Sequence, residues 1–122
     1  MGNSFYDLTV WKRSIEMTTA IYEMTAAFPK SEIYGLSSQM RRAAVSVASN
    51  IAEGSGRGSK AEFRQFLKMA RGSNCELQTQ LVIASNLGMA TGDRIETAKS
   101  LSHEVGRMLN GLMTSISPDS GR

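Results

Sequence analysis

The chain has 122 residues, 14 Lys and Arg against 11 Asp and Glu for a net charge of +3, and only one cysteine and one histidine. At that length a single domain can bury roughly two-thirds of the surface its unfolded chain exposes, while a lone thiol excludes an internal disulfide and a lone histidine excludes a His-based metal cluster. No apolar run approaches the ~20 residues that span a bilayer. The opening MGNSFYDLTVWKRS lacks a signal peptide's apolar region and the Ser or Thr at position 6 of a myristoylation signal, so the expected setting is the cytoplasm, with no membrane partner.

Proline occurs only at positions 29 and 118, and the apolar residues between the breakers recur at a helical rather than an alternating period. A first helix over 7–28 starts at Asp7 as N-cap. It carries Leu8, Trp11, Ile15, Thr18, Tyr22 and Thr25 on one stripe and Val10, Met17, Ile21, Met24 and Phe28 on an adjoining one. Phe28-Pro29 ends it. A second helix over 36–54 turns Leu36, Met40, Ala43, Ala44, Val47 and Ile51 inward, and the hinge Gly54-Ser55-Gly56-Arg57-Gly58 follows. Ser59-Lys60-Ala61-Glu62 has the form of a capping box and opens a third helix over 60–87, with Phe63, Phe66, Leu67, Ala70, Leu77, Leu81 and Ala84 on one side and Gly88 as its stop. Asp93 caps a fourth over 93–116, in which Ile95, Ala98, Leu101, Val105, Met108, Leu112 and Ile116 repeat every three or four residues, before a frayed tail at 117–122. Short connectors force successive helices to lie antiparallel, so the fold expected is a single-domain, all-α, up-down-up-down four-helix bundle.

Charge is unevenly distributed along this pattern. Residues 41–76 hold seven bases against three acids, +4, and the remainder seven against eight, −1. Within the basic segment Lys60, Arg64, Lys68 and Arg71 are spaced to lie on one narrow helical stripe, with Arg57 in the hinge beside it. Free backbone N–H groups at a helix N-terminus favour anions, so these five residues are the candidate site for an RNA or DNA backbone, with an ordinary solvated helix face as the plain alternative. No aromatic residue shares the stripe, which points to phosphate rather than base contacts.

Folding the second and third helices back on Gly58 brings Arg41 level with Glu76, where an ion pair is expected in preference to a ligand contact. Arg42 shares its side with Gln39, Ser46, Ser49, Asn50 and Glu53, a polar strip that suits either a hydrogen-bonded seam or an exposed face. Opposite it lie Val45, Ala48 and Ala52. A helix apolar on both sides packs against another subunit or unusually tightly within its own, and the first reading makes the protein a homo-oligomer through these three residues. Trp11, with Leu8 and Ile15, is expected in the core rather than stacked on a base.

No catalytic, metal or cofactor site emerges. The Glu-x-x-His pairs of di-iron bundles are missing, the Gly-rich hinge joins two helices rather than following a strand, and Cys75 with His103 is the sole nucleophile–base combination worth naming.

Asp7-Leu8 with Val10-Trp11-Lys12, Phe28-Pro29, Tyr34-Gly35-Leu36, Arg41-Arg42-Ala43, Asn50-Ile51-Ala52-Glu53-Gly54, Phe66-Leu67 and Gly72-Ser73 with Glu76 resemble the bacterial four-helix-bundle family encoded in intervening sequences of 23S rRNA genes. Such proteins are similar to the accessory bundle of diversity-generating retroelements. That likeness implies a ring-shaped homopentamer and a role in binding nucleic acid. The leading expectation is therefore a non-enzymatic, homo-oligomeric bundle that binds RNA or DNA, its rival a scaffold whose ligand is another protein.

Overall fold

The computed structural model describes residues 4–116. The expected tail and the Gly2 of the opening segment lie outside them. Helices α1 (Thr9–Thr25), α2 (Leu36–Ser55), α3 (Lys60–Asn86) and α4 (Asp93–Ser115) form the bundle, and short 3-10 turns at Phe5–Asp7 and Lys30–Glu32 complete the described secondary structure. Each helix adjoins its sequence neighbours and α4 returns beside α1, whereas α1 and α3, like α2 and α4, lie across the diagonal. Side-chain bonds run antiparallel: Asn74 meets Ser102 where Arg64 meets Met113, and Arg13 meets Glu104 where Arg94 meets Glu23. The up-down-up-down bundle read from the sequence is the fold.

Helix ends follow local chemistry. Ser59 Oγ accepts from the Glu62 backbone N–H at 3.1 Å and donates to the Glu62 carboxylate at the same distance, which satisfies an otherwise orphan donor at the start of α3. At the other end Gly88, with φ +70°, donates to the Ser85 carbonyl and Met89 donates to that of Ala84, the paired bonds of a Schellman stop. Two expected caps are corrected. Asp7 sits in the 3-10 turn, where Ser4 Oγ accepts from Tyr6 N, and α1 begins after Leu8. Asp93 is the first residue of α4, not its cap, because Gly92 at φ +71° occupies that position.

The core takes Met17, Ile21 and Met24 from α1, Met40, Ala44, Val47 and Ile51 from α2, Leu67, Leu77 and Leu81 from α3, and Val105 and Leu109 from α4, all nearly or wholly inaccessible. Of α1's two stripes, the one through Val10, Met17 and Met24 faces inward. Ile15 and Tyr22 of the other remain 40 % and 43 % exposed, and Trp11 is half-buried at the edge of an aromatic cluster with Phe5 and Tyr6. In α4 Ser102, Leu109 and Met113 are buried while Leu101, Met108 and Leu112 pack at the margin, a rotation away from the expected stripe.

Two contacts fix the register. A Cβ on Gly54 would lie 2.5 Å from Phe66 Cβ and 3.3 Å from the Phe63 carbonyl, so α2 and α3 close on each other only because that position has no side chain; Gly54 is a packing residue inside α2 rather than the start of the hinge. Between α3 and α4, buried Asn74 donates to the Ser102 carbonyl and accepts from the Ser102 hydroxyl, both at 2.9 Å, so each partner satisfies the other away from water. A third link is electrostatic and partly exposed. Arg13 bonds Glu104 and Glu16 at 2.9 Å, and those negative charges, Glu104 first, raise the pKa of the guanidinium above its ordinary value.

Gly54→Ala is expected to lower stability by about 1–3 kcal/mol, since overpacking against a Cβ and a backbone oxygen outweighs the gain of about 1 kcal/mol in helix propensity. Gly72→Ala, with open space around it, is expected to raise stability by up to about 1 kcal/mol. Opposite shifts in thermal midpoint check the pair. In a second series Ser102→Ala strands the Asn74 carboxamide oxygen and should cost about 1–3 kcal/mol in urea unfolding. Asn74→Leu combined with Ser102→Ala should cost less than the two single changes together; strict additivity would show that the bonds do not couple.

Candidate functional site

The basic stripe lies along the α3/α4 seam. Arg64 Nε donates to the Met113 carbonyl at 3.3 Å, and Arg71 Nη1 donates to Asn110 Oδ1 at 3.1 Å, so two of its cations are oriented across the seam. Lys60 and Lys68 are exposed on α3. Both acceptors are neutral, so neither arginine's charge is cancelled by its bond. Arg57 is placed differently: it pairs with Glu53 at 2.8 Å and lies over the Phe66 ring at 4.8 Å, committed to the α2–α3 turn.

Arg107 joins the stripe. It is exposed on α4 one turn before Asn110, the residue Arg71 reaches, and the sequence reading missed it because only the α3/α4 register brings it there. The signal available was negative: residues 63–75 and 105–116 contain no acid. Glu104, the nearest acid along α4, is turned to Arg13 of α1. The face therefore presents Lys60, Arg64, Lys68, Arg71 and Arg107, and no ion pair engages any of them among the described residues.

The expected Arg41–Glu76 ion pair is not made. Arg41 Nε donates to Thr25 Oγ1 at 2.8 Å, Nη2 reaches the Tyr22 carbonyl at 3.4 Å, and the guanidinium lies 4.6 Å over the Tyr22 ring. Observed partners such as Ser46 with Ser73 and Gly54 with Phe66 set a register about three residues off a fold centred on Gly58. Arg41 also points around α2 toward α1. The polar strip near Arg42 divides: Ser46 bonds Ser73 at 2.8 Å and Asn50 bonds back to Ser46, a seam between α2 and α3, while Arg42, Ser49 and Glu53 stay exposed.

On the opposite side, Ala48 is buried against α1 and Val45 is 41 % exposed, with Ala52 between these extremes. The three line a shallow apolar groove with Trp11, Ile15 and Thr18. Tight packing inside the subunit and an apolar outer edge thus coexist on this face. Cys75 and His103 line one cleft with Lys99 and Val82 between α3 and α4. No hydrogen bond joins thiol to imidazole and no carboxylate orients the imidazole among the described residues, so the arrangement lacks the third member that nucleophile activation uses. No group of three His, Cys, Asp or Glu side chains suited to a metal occurs among the described residues, nor any helix long and apolar enough to cross a membrane.

A crystal structure from Bacteroides thetaiotaomicron, of a protein with unknown function from the S23 ribosomal protein family, superposes with a TM-score of 0.78. It shares 22 % identity over 86 % of this chain and 95 % of its own. No curated protein matches in sequence. Residues 6–111 match the model of the 23S rRNA-intervening sequence proteins, and the chain belongs to that family.

Proposed function

We propose that the protein is a non-catalytic, self-associating bundle that binds the phosphate backbone of RNA or DNA through the α3/α4 face. The observation that carries this reading is a run of five cations, Lys60, Arg64, Lys68, Arg71 and Arg107, on one seam with no carboxylate paired to them. Two of the guanidiniums are held by neutral acceptors and keep donors free for phosphate oxygens. The contacts read charge and spacing rather than sequence, because no aromatic side chain stands on the seam to stack a base.

Self-association uses the α1/α2 groove. Ile15 and Val45 leave an apolar edge beside the small residues Ala48 and Ala52, and small residues let two backbones approach closely. A ring is the form that the resemblance to retroelement accessory bundles implies. Repeating a weak basic face on each subunit would raise the avidity for a polyanion well above that of one face.

Fluorescence anisotropy with labelled RNA and DNA duplexes tests the first part. About four phosphate contacts predict a loss of about 100-fold in affinity between 50 and 200 mM salt, and Arg64→Glu with Lys68→Glu should abolish binding. Unchanged binding by that double variant would sink the model. For the groove, multi-angle light scattering should show an oligomer that Val45→Glu reduces to monomer, with the helical circular dichroism intact; a monomeric parent would refute the interface.

A further inference from the structure

At the other end of the bundle from the basic face, and on the opposite side, α1 and α2 flank a cleft of about 470 Å³. Its size is that of a small-molecule site, for which about 300–1,000 Å³ is usual. Its lining is basic and hydroxyl-bearing: Lys30, Arg41 and Arg42 bring positive charge, Ser37 and Ser38 bring hydroxyls, and no Asp or Glu takes part. The nearest carboxylate in the connector, Glu32, accepts from the Leu36 backbone N–H at 3.0 Å and so caps α2.

Arg41 is built into position. The Thr25 hydroxyl, 4 % exposed as a residue, accepts from Arg41 Nε and donates to the Ile21 carbonyl at 2.7 Å, while the Tyr22 ring supports the guanidinium from one face. Nε and Nη2 are thereby occupied, and Nη1 has no partner among the described residues. Ser37, the second residue of α2, lines the cleft beside Arg41, and its hydroxyl makes no hydrogen bond among the described residues. Beside these donors the wall is apolar, formed by Phe28, Pro29 and Ile33.

We infer that this cleft binds a small organic phosphate monoester, its oxyanion held by Arg41 Nη1, Ser37 Oγ and the flanking Lys30 and Arg42, and its apolar body against Pro29 and Ile33. Three cations exceed what one carboxylate needs and suit a dianion, and a guanidinium locked at Nε presents its remaining donors in a fixed plane. The site shares no residue with the basic face. Failure of one leaves the other standing.

Phenyl phosphate is the probe, titrated into the full chain and followed by amide ¹H–¹⁵N NMR. Saturable shifts at Ile33, Ser37 and Ser38, with Lys68 and Arg71 unmoved, are the expected result. Arg42→Gln, at an exposed position, should weaken binding about tenfold and Ser37→Ala about fivefold, in line with loss of a charged and a neutral hydrogen bond. Inorganic phosphate, which lacks the apolar body, should bind more weakly than the ester. Shifts centred on the α3/α4 face, the absence of saturation, or indifference to Arg42→Gln would overturn the site. Benzoate binding as tightly as phenyl phosphate would overturn the assignment to phosphate.

Discussion

Helices α2 and α3 close on each other at Gly54, where the absence of a Cβ lets Phe66 and Phe63 settle against the α2 backbone. Once that approach is made, the antiparallel course of the two helices leaves little freedom in register: Ser46 comes opposite Ser73, and the polar strip of α2 becomes a hydrogen-bonded seam. The position of α3 in turn decides which of its faces meets α4. Asn74 is carried inward to Ser102, and one turn away Arg71 is carried outward to Asn110. The chemistry of the exposed seam is thus a consequence of packing two helices away.

The same geometry separates charges that pair from charges that do not. Arg13 and Arg57 meet carboxylates and serve mostly to tie elements together, each pair partly exposed and therefore modest in energy. Arg64 and Arg71 meet only a carbonyl and a carboxamide, which orient them without neutralising them. Arg41 is a third case, fixed by a hydroxyl and an aromatic face beside a cleft. These contrasts do not follow from composition, since a net charge of +3 is compatible with any of them.

Fold class was legible because every segment between breakers carries helical periodicity, and the Ser59 and Gly88 signals mark ends that backbone hydrogen-bonding needs alone determine. The azimuth of each helix was harder to read. α1 is apolar over two adjoining stripes, and only the presence of α4 on one flank decides that Val10, Met17 and Met24 go inward while Ile15 and Tyr22 stay out. Arg41 illustrates the same limit: counting residues around a turn gives the level of a side chain along its helix, not the neighbour it faces. Asn74 and Ser102 are structural only as a pair from distant parts of the chain, and Arg107 comes beside the basic stripe only through the α3/α4 register; local sequence carries no mark of either. Lys60, Arg64, Lys68 and Arg71 were legible because they belong to a single helix.

The order of the helices around the bundle sets the two proposed surfaces apart. The apolar groove of α1/α2 and the basic seam of α3/α4 lie on opposite sides of the bundle. A two-fold, isologous contact through the groove would turn both basic seams to the far ends of a dimer. A heterologous contact that closes a ring requires a second, different surface, and the exposed Val82, Ile83 and Leu87 at the C-terminal end of α3 offer apolar area for it. In that form every basic seam would recur at a constant interval around the rim, and under the proposed binding the symmetry of the assembly would decide whether a polyanion bridged separate particles or followed the circumference of one.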